Sequence, residues 1–359
     1  MNKAKRYYLD WIRIVAVFCV FYTHIIVGPA ISTDISATVG NVPVEYPFVA
    51  VGNWLYRVEF FFIHRGTISG AVGVVLFLWL GGYLAAMTRA KYTSKQFMLK
   101  RLCRIIPGVF ISTVIICVLK LIVGLPFVGF FRMIASCFSL HPFMGLEPVI
   151  SVIWTLVVEL LFTVYCSIVP RLTFKNIVIT ELIFIFFVSS YAITGQGSYV
   201  FWMYAKYLPI MFVGIFIYET EKERSFSNII KLVVVASLGY LELYISITHI
   251  YTEETAYIKL WTYLAPAIVW LIFVVLNKIG FGLVMRSWKP VEFLVSISLV
   301  FYLLQIDVGT NIEYQLKRLE MNNYLVLLLG VVLTMGFSAV VHYFMEKPLQ
   351  KCLTKKINI

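Results

Sequence analysis

Ten stretches of this 359-residue sequence are apolar over about twenty residues each, the length needed to cross a bilayer as a helix. They fall near 12–30, 68–88, 105–124, 149–170, 176–194, 201–218, 229–248, 258–276, 290–308 and 323–345. With 61% hydrophobic and only 13% charged residues, a soluble fold would expose large apolar patches. The expected fold is therefore an all-α polytopic membrane protein of about ten transmembrane helices. Twenty of the thirty Lys and Arg lie before the first run and in every second loop after it, against six in the alternate loops. That asymmetry places both termini in the cytoplasm. It also accounts for the net charge of +12 without a nucleic-acid partner.

The organisation reads as one transmembrane domain over 1–345 and a short basic cytoplasmic tail over 346–359. The first apolar run is too long for a signal-peptide core and is expected to stay attached. Two outer loops, 31–67 and 125–148, mix aromatic, charged, Gly and Pro residues, as segments lying at the membrane interface or over a cavity mouth do. The six Cys show no CxxC or zinc-type spacing, and no metal site is expected.

Charged residues inside or beside the apolar runs are the candidates for chemistry, because burying them in a membrane is costly. The first run begins Arg6-Tyr7-Tyr8-Leu9-Asp10-Trp11-Ile12-Arg13 and contains His24. Eleven α-helical steps total roughly 1100°, so Arg13 and His24 should share a face, about 16 Å apart along the axis. Packing is the plain explanation of a lone His; an ionisable group in line with Arg13 and Asp10 is the functional one. Arg101 and Arg104, three residues apart at one end of the third run, either hold topology or form a cationic clamp for phosphate groups. In Trp154-Thr155-Leu156-Val157-Val158-Glu159 the carboxylate should lie near mid-bilayer, either bonded to an Arg or hydroxyl on another helix or acting at a site. Gly73, Gly81 and Gly82 allow close approach of a helix or a ligand. In Glu346-Lys347-Pro348 the proline should end the last helix and the charges anchor it. His64, His141, His249 and His342 read as structural or interfacial.

Taken together these stretches resemble acyltransferase family 3. Its opening pattern is matched by Arg6, Leu9, Asp10, Arg13, Ala16 and His24, and its Gly-Val-x-Leu-Phe stretch by Gly73, Val74, Leu76, Phe77 and Gly82. Further matches are Arg101, Arg104, Ile105 and Pro107, then Trp154, Thr155, Leu156 and Glu159, then Glu346 and Pro348. Gln305 departs from the pattern, standing where the family commonly has His. No appended soluble domain is expected.

The resemblance implies a membrane O-acyltransferase moving an acyl group, acetyl foremost, from cytoplasmic acyl-CoA to a hydroxyl of a lipid-linked or cell-surface glycan. The expected location is the cell membrane, in particular a bacterial cytoplasmic membrane. His24 would act as general base, or as nucleophile through an acyl-imidazole; the residues leave both routes open. Arg13, Arg101 and Arg104 would hold the phosphates of CoA, and Asp10 would orient Arg13. Glu159 would join His24 in catalysis, either supporting it from behind or acting on the acceptor side, and Trp154 would be a second orienting residue. The competing class is a transporter or flippase for a glycan or lipid intermediate. Against it, the sequence shows neither an inverted repeat nor a matched pair of Gly/Pro-broken helices.

Overall fold

All regular structure among the described residues is helical, as long apolar runs demand when every backbone N–H and C=O must be satisfied within its own segment. The computed structural model describes residues 7–27, 69–169, 171–195, 204, 206–250, 253–279 and 288–356. The outer loop expected at 31–67, with His64, lies outside them, as does Arg6. The helices are α1 (Tyr7–Phe21), α2 (Ser69–Arg89), α3 (Ser94–Ile122), α4 (Phe130–Cys137) and α5 (Trp154–Ile168). Next come α6 (Phe174–Thr194), α7 (Leu208–Lys222), α8 (Phe226–Ile250) and α9 (Glu253–Lys278). The chain ends with α10 (Lys289–Leu304), α11 (Asp307–Arg318), α12 (Asn323–Val341) and α13 (Lys347–Lys356).

Seven helical stretches among the described residues are long and apolar enough to cross a membrane, where the whole sequence leads us to expect ten. An eighth appears if α10 and α11, which meet at a 77° bend, count as one broken span. Helix α7 is 15 residues long, and the apolar stretch of α9 that is fully described is Leu264–Lys278. The expected spans over 201–218 and 258–276 both extend into residues that are not fully described.

Contacts divide the chain into two compact units. Unit 1 comprises Met1–Gly73, Ile106–Ile153 and Trp270–Leu353. Within it α1 packs along α10, the two running parallel. Trp11 stacks on Trp288 near their starts, and Phe21 on Phe301 further along. Small residues bring the start of α2 onto α1: a Cβ on Gly73 would sit 2.6 Å from the Ala16 carbonyl oxygen. The segment expected to lie at the interface carries the short helix α4, with Phe130 and Phe131 exposed on one side and Ala135, Ser136 and Cys137 buried on the other. That amphipathic division suits a helix lying in the headgroup region.

Unit 2 comprises Val74–Ile105, Trp154–Val269 and Thr354–Ile359. Helix α6 is capped at its start by Thr173, whose hydroxyl accepts from the Asn176 amide. It ends at Gly195 in the left-handed conformation that glycine adopts without strain. Helix α6 packs against α8, and its other face leaves Phe186, Phe187 and Ile193 exposed, as a lipid-facing surface would be. In α2 and α7 the backbones touch. A Cβ on Gly82 would overlap the Met211 carbonyl, and one on Gly214 the Trp79 carbonyl. The glycines of the Gly73–Tyr83 stretch therefore serve helix packing.

Candidate active site

Helix α1 forms from a run with no Gly or Pro and with Asp10 in its first turn, where a carboxylate complements the helix dipole. Its starting end is fixed by aromatic contacts, Tyr8 edge-on to Trp270 and Trp11 stacked on Trp288. Asp10 and Arg13 are half-buried and one helical turn apart, as the spacing requires. His24 lies beyond the end of the α-helical register. Residues Tyr22–Val27 form a π-helical turn, whose i→i+5 hydrogen bonding widens the coil. The alignment of His24 with Arg13 expected from uniform α-geometry thus holds only as far as Phe21. Its imidazole is half-buried and has no hydrogen-bond or ion-pair partner among the described residues. Turns of this kind occur disproportionately at functional sites.

Unit 2 brings together two other expected residues. Arg101 is buried at 6% exposure, and its Nη1 donates to Glu159 Oε1 at 2.8 Å. Its Nη2 donates to the Gly81 carbonyl at 2.7 Å. Of the two explanations left open for Glu159, a bond to an Arg on another helix is the one seen. Arg104, one turn on from Arg101, is exposed, so the two guanidinium groups meet different surroundings. Trp154 is half-buried at the first residue of α5, its ring 4.6 Å from that of Tyr207. A second arginine closes the turn between α2 and α3. Arg89 donates to the Tyr92 and Cys166 carbonyls and to the Ser94 hydroxyl.

A family model described as an acyltransferase domain matches residues 6–343, nearly the whole chain. The chain belongs to acyltransferase family 3. Neither a curated protein nor a solved structure matches it. The match covers helices of both units, and with them every residue singled out above except Glu346, Lys347 and Pro348, which lie just beyond it.

Four features of this acyltransferase family member escaped the sequence reading. The last helix does not stop at Pro348. A π-helical turn over His342–Glu346 leads directly into α13, whose second residue is Pro348. Nor is Glu346 a headgroup anchor. It is 2% exposed, paired with His342 Nδ1 at 2.5 Å and accepting from Gln350 Nε2 at 2.7 Å. The i, i+4 spacing of His342 and Glu346 was the available signal. Glu181 on α6 and Glu242 on α8 are both fully buried, with no partner for either carboxyl among the described residues. They stand in apolar runs just as Glu159 does. The fourth is Gln305, wholly buried at the junction of α10 and α11.

Proposed function

We propose that this family member is an acyl-CoA-dependent O-acyltransferase, with His24 as the group that handles the reacting proton or the acyl chain. One observation carries the reading: His24 is an imidazole without a partner among the described residues, on a π-helical turn, in a chain whose family is acyl transfer. An imidazole titrates near neutrality, so a neutral ring with a free nitrogen accepts a hydroxyl proton readily. In the direct route that proton passes to His24 while the hydroxyl oxygen attacks the thioester carbonyl. The C–S bond breaks, and the CoA thiolate leaves and is protonated. In the two-step route an imidazole nitrogen takes the acyl group first and yields it to the hydroxyl.

The proposed donor is acetyl-CoA or another acyl-CoA, and the proposed acceptor a hydroxyl on a lipid-linked or surface glycan. Arg13 and Arg104 would supply charge for the CoA phosphates, with Asp10 orienting Arg13. Arg101 is already engaged by Glu159, which favours it as the residue that positions that carboxylate; any contact it makes with the donor would share its charge with the pair. Trp154 would hold the start of α5 beside Glu159 through its ring contact with Tyr207.

The experiment is comparison of surface glycans by mass in cells with and without the gene, alongside His24→Ala. A mass difference of one acyl group that His24→Ala abolishes, in protein that still folds, supports the reading. Full transfer by His24→Ala overturns it. The carrier alternative keeps one argument, the break between α10 and α11, since transporters build their sites on such interrupted helices. Thermal stability with CoA separates the two: an acyltransferase gains stability as ligand exceeds its dissociation constant, and a carrier for another compound does not.

A further inference from the structure

The break between α10 and α11 is the one bent pair among the candidate spans of the described residues, and neither glycine nor proline stands at it. Its residues are Gln305 and Ile306. Gln305 has no exposed surface, and neither its Nε2 nor its Oε1 has a hydrogen-bond partner among the described residues. Its polar neighbours in sequence are provided for. Asp307 pairs with Lys120 Nζ at 3.9 Å, Thr310 donates to the Ile306 carbonyl, and Tyr302 donates to the Val152 carbonyl. A buried carboxamide left without partners is destabilising, and an apolar side chain of equal size would fit the position better. Such a group is retained where something else completes its hydrogen bonds.

Two contacts bracket it in sequence. Phe301, four residues earlier, stacks on Phe21 at 5.4 Å between ring centres. Gly309, four residues later, faces Ile25, whose Cδ1 would be 3.7 Å from an added Cβ. His24 falls between Phe21 and Ile25, and Gln305 between Phe301 and Gly309, so both belong to the same part of unit 1, Gln305 at the end of α10. A carboxamide offers two donors and an acceptor and carries no charge. Those are the complements of neighbouring hydroxyls on a neutral sugar ring, whereas an anion or cation would call for an opposite charge; Asp307 and Lys120 already answer each other.

We infer that Gln305 is an acceptor-binding residue. Its carboxamide holds hydroxyl groups of a neutral sugar ring beside the hydroxyl that His24 serves. This rests on the O-acyltransferase reading above. The test uses membranes containing the full-length chain, radiolabelled acetyl-CoA and succinyl-CoA as donors, and cell envelopes from a strain lacking the gene as acceptor in a dilution series. In Gln305→Met the envelope concentration for half-maximal transfer should rise at least about tenfold, because the hydrogen bonds that a site makes to substrate hydroxyls dominate its discrimination. The thermal midpoint should match or exceed that of the wild type, and the thermal shift given by CoA should be unchanged. Gln305→Leu repeats the measurement should the methionine variant fold poorly. Half-saturation at the wild-type concentration overturns the inference. So does a lowered thermal midpoint in both variants, which makes Gln305 a structural residue. Wild-type membranes that transfer no label from either donor overturn the transferase reading itself, and this inference with it.

Discussion

The end of α1 in unit 1 and the crossing of α2, α3 and α5 in unit 2 both place an ionisable group among apolar helices, and they treat it in opposite ways. Arg101 is surrounded by acceptors: a carboxylate on one side and a backbone carbonyl on the other. His24 has none among the described residues. A charge whose hydrogen bonds are complete acts on its surroundings by holding them still. An imidazole whose nitrogens remain uncommitted retains the capacity to exchange a proton or accept an acyl group. The contrast separates a group that holds its own surroundings from the one to which the proposed chemistry is assigned, although both stand out equally in the sequence.

The sharpest way to break that contrast is His24→Ala. Acyl transfer should fall by about 10²–10⁴-fold, the range lost with a general acid–base group, while the thermal midpoint stays within a few degrees of wild type. A variant that loses stability and activity together would make His24 another structural residue. Arg101→Met should do the reverse. Leaving Glu159 without its cation should cost about 3 kcal/mol, seen as a lower thermal midpoint and reduced folded yield. The double change Arg101→Met with Glu159→Leu should recover much of that loss, since no uncompensated charge remains. Equal destabilisation of single and double variants would deny the pair its structural role. A smaller effect is expected from Gly214→Ala. The added methyl meets the Trp79 carbonyl, so α2 and α7 must separate, costing roughly 1–3 kcal/mol by denaturation.

His141 tests whether lack of a partner is enough to mark function. It is 2% exposed, and neither ring nitrogen has a hydrogen-bond partner among the described residues. Burial, with Arg132 adding to it, pulls its pKa down to about 4. The unfolded chain, with an ordinary imidazole near 6.5, binds the proton first as the solution is acidified. The stability that the neutral ring contributes is therefore complete above about pH 6.5 and drains away towards pH 4. His141→Phe should flatten this acid-side fall in thermal midpoint by a few degrees and leave transfer at neutral pH unchanged. Lost transfer would mean that this histidine, on its short 3₁₀ turn, also serves the reaction.

Much of the frame was legible because a bilayer is a simple ruler: an apolar run either reaches across it or does not. The end of α1 and the carboxylate of Glu159 stood out for the same reason, as costly groups in apolar company. What the sequence concealed were partners and register. Arg101 and Glu159 are 58 residues apart, and no local spacing joins them. The bend after Leu304 has no glycine or proline to announce it, and the π-turns at Tyr22–Val27 and His342–Glu346 insert a wider coil that periodicity cannot reveal. Of the ten expected spans, the one over 201–218 meets a helix of 15 described residues, α7, and the one over 290–308 is broken at Gln305.

The peptide between Gly81 and Gly82 has two duties. Its carbonyl receives the Arg101 guanidinium, and its second glycine is the bearing on which α7 rests. Movement of α7 would therefore be felt at Arg101 as a displaced backbone oxygen. A methyl group added to a distant segment can in this way loosen an ion pair it never touches, so the two glycines on α2 and the arginine on α3 are free to change only in concert.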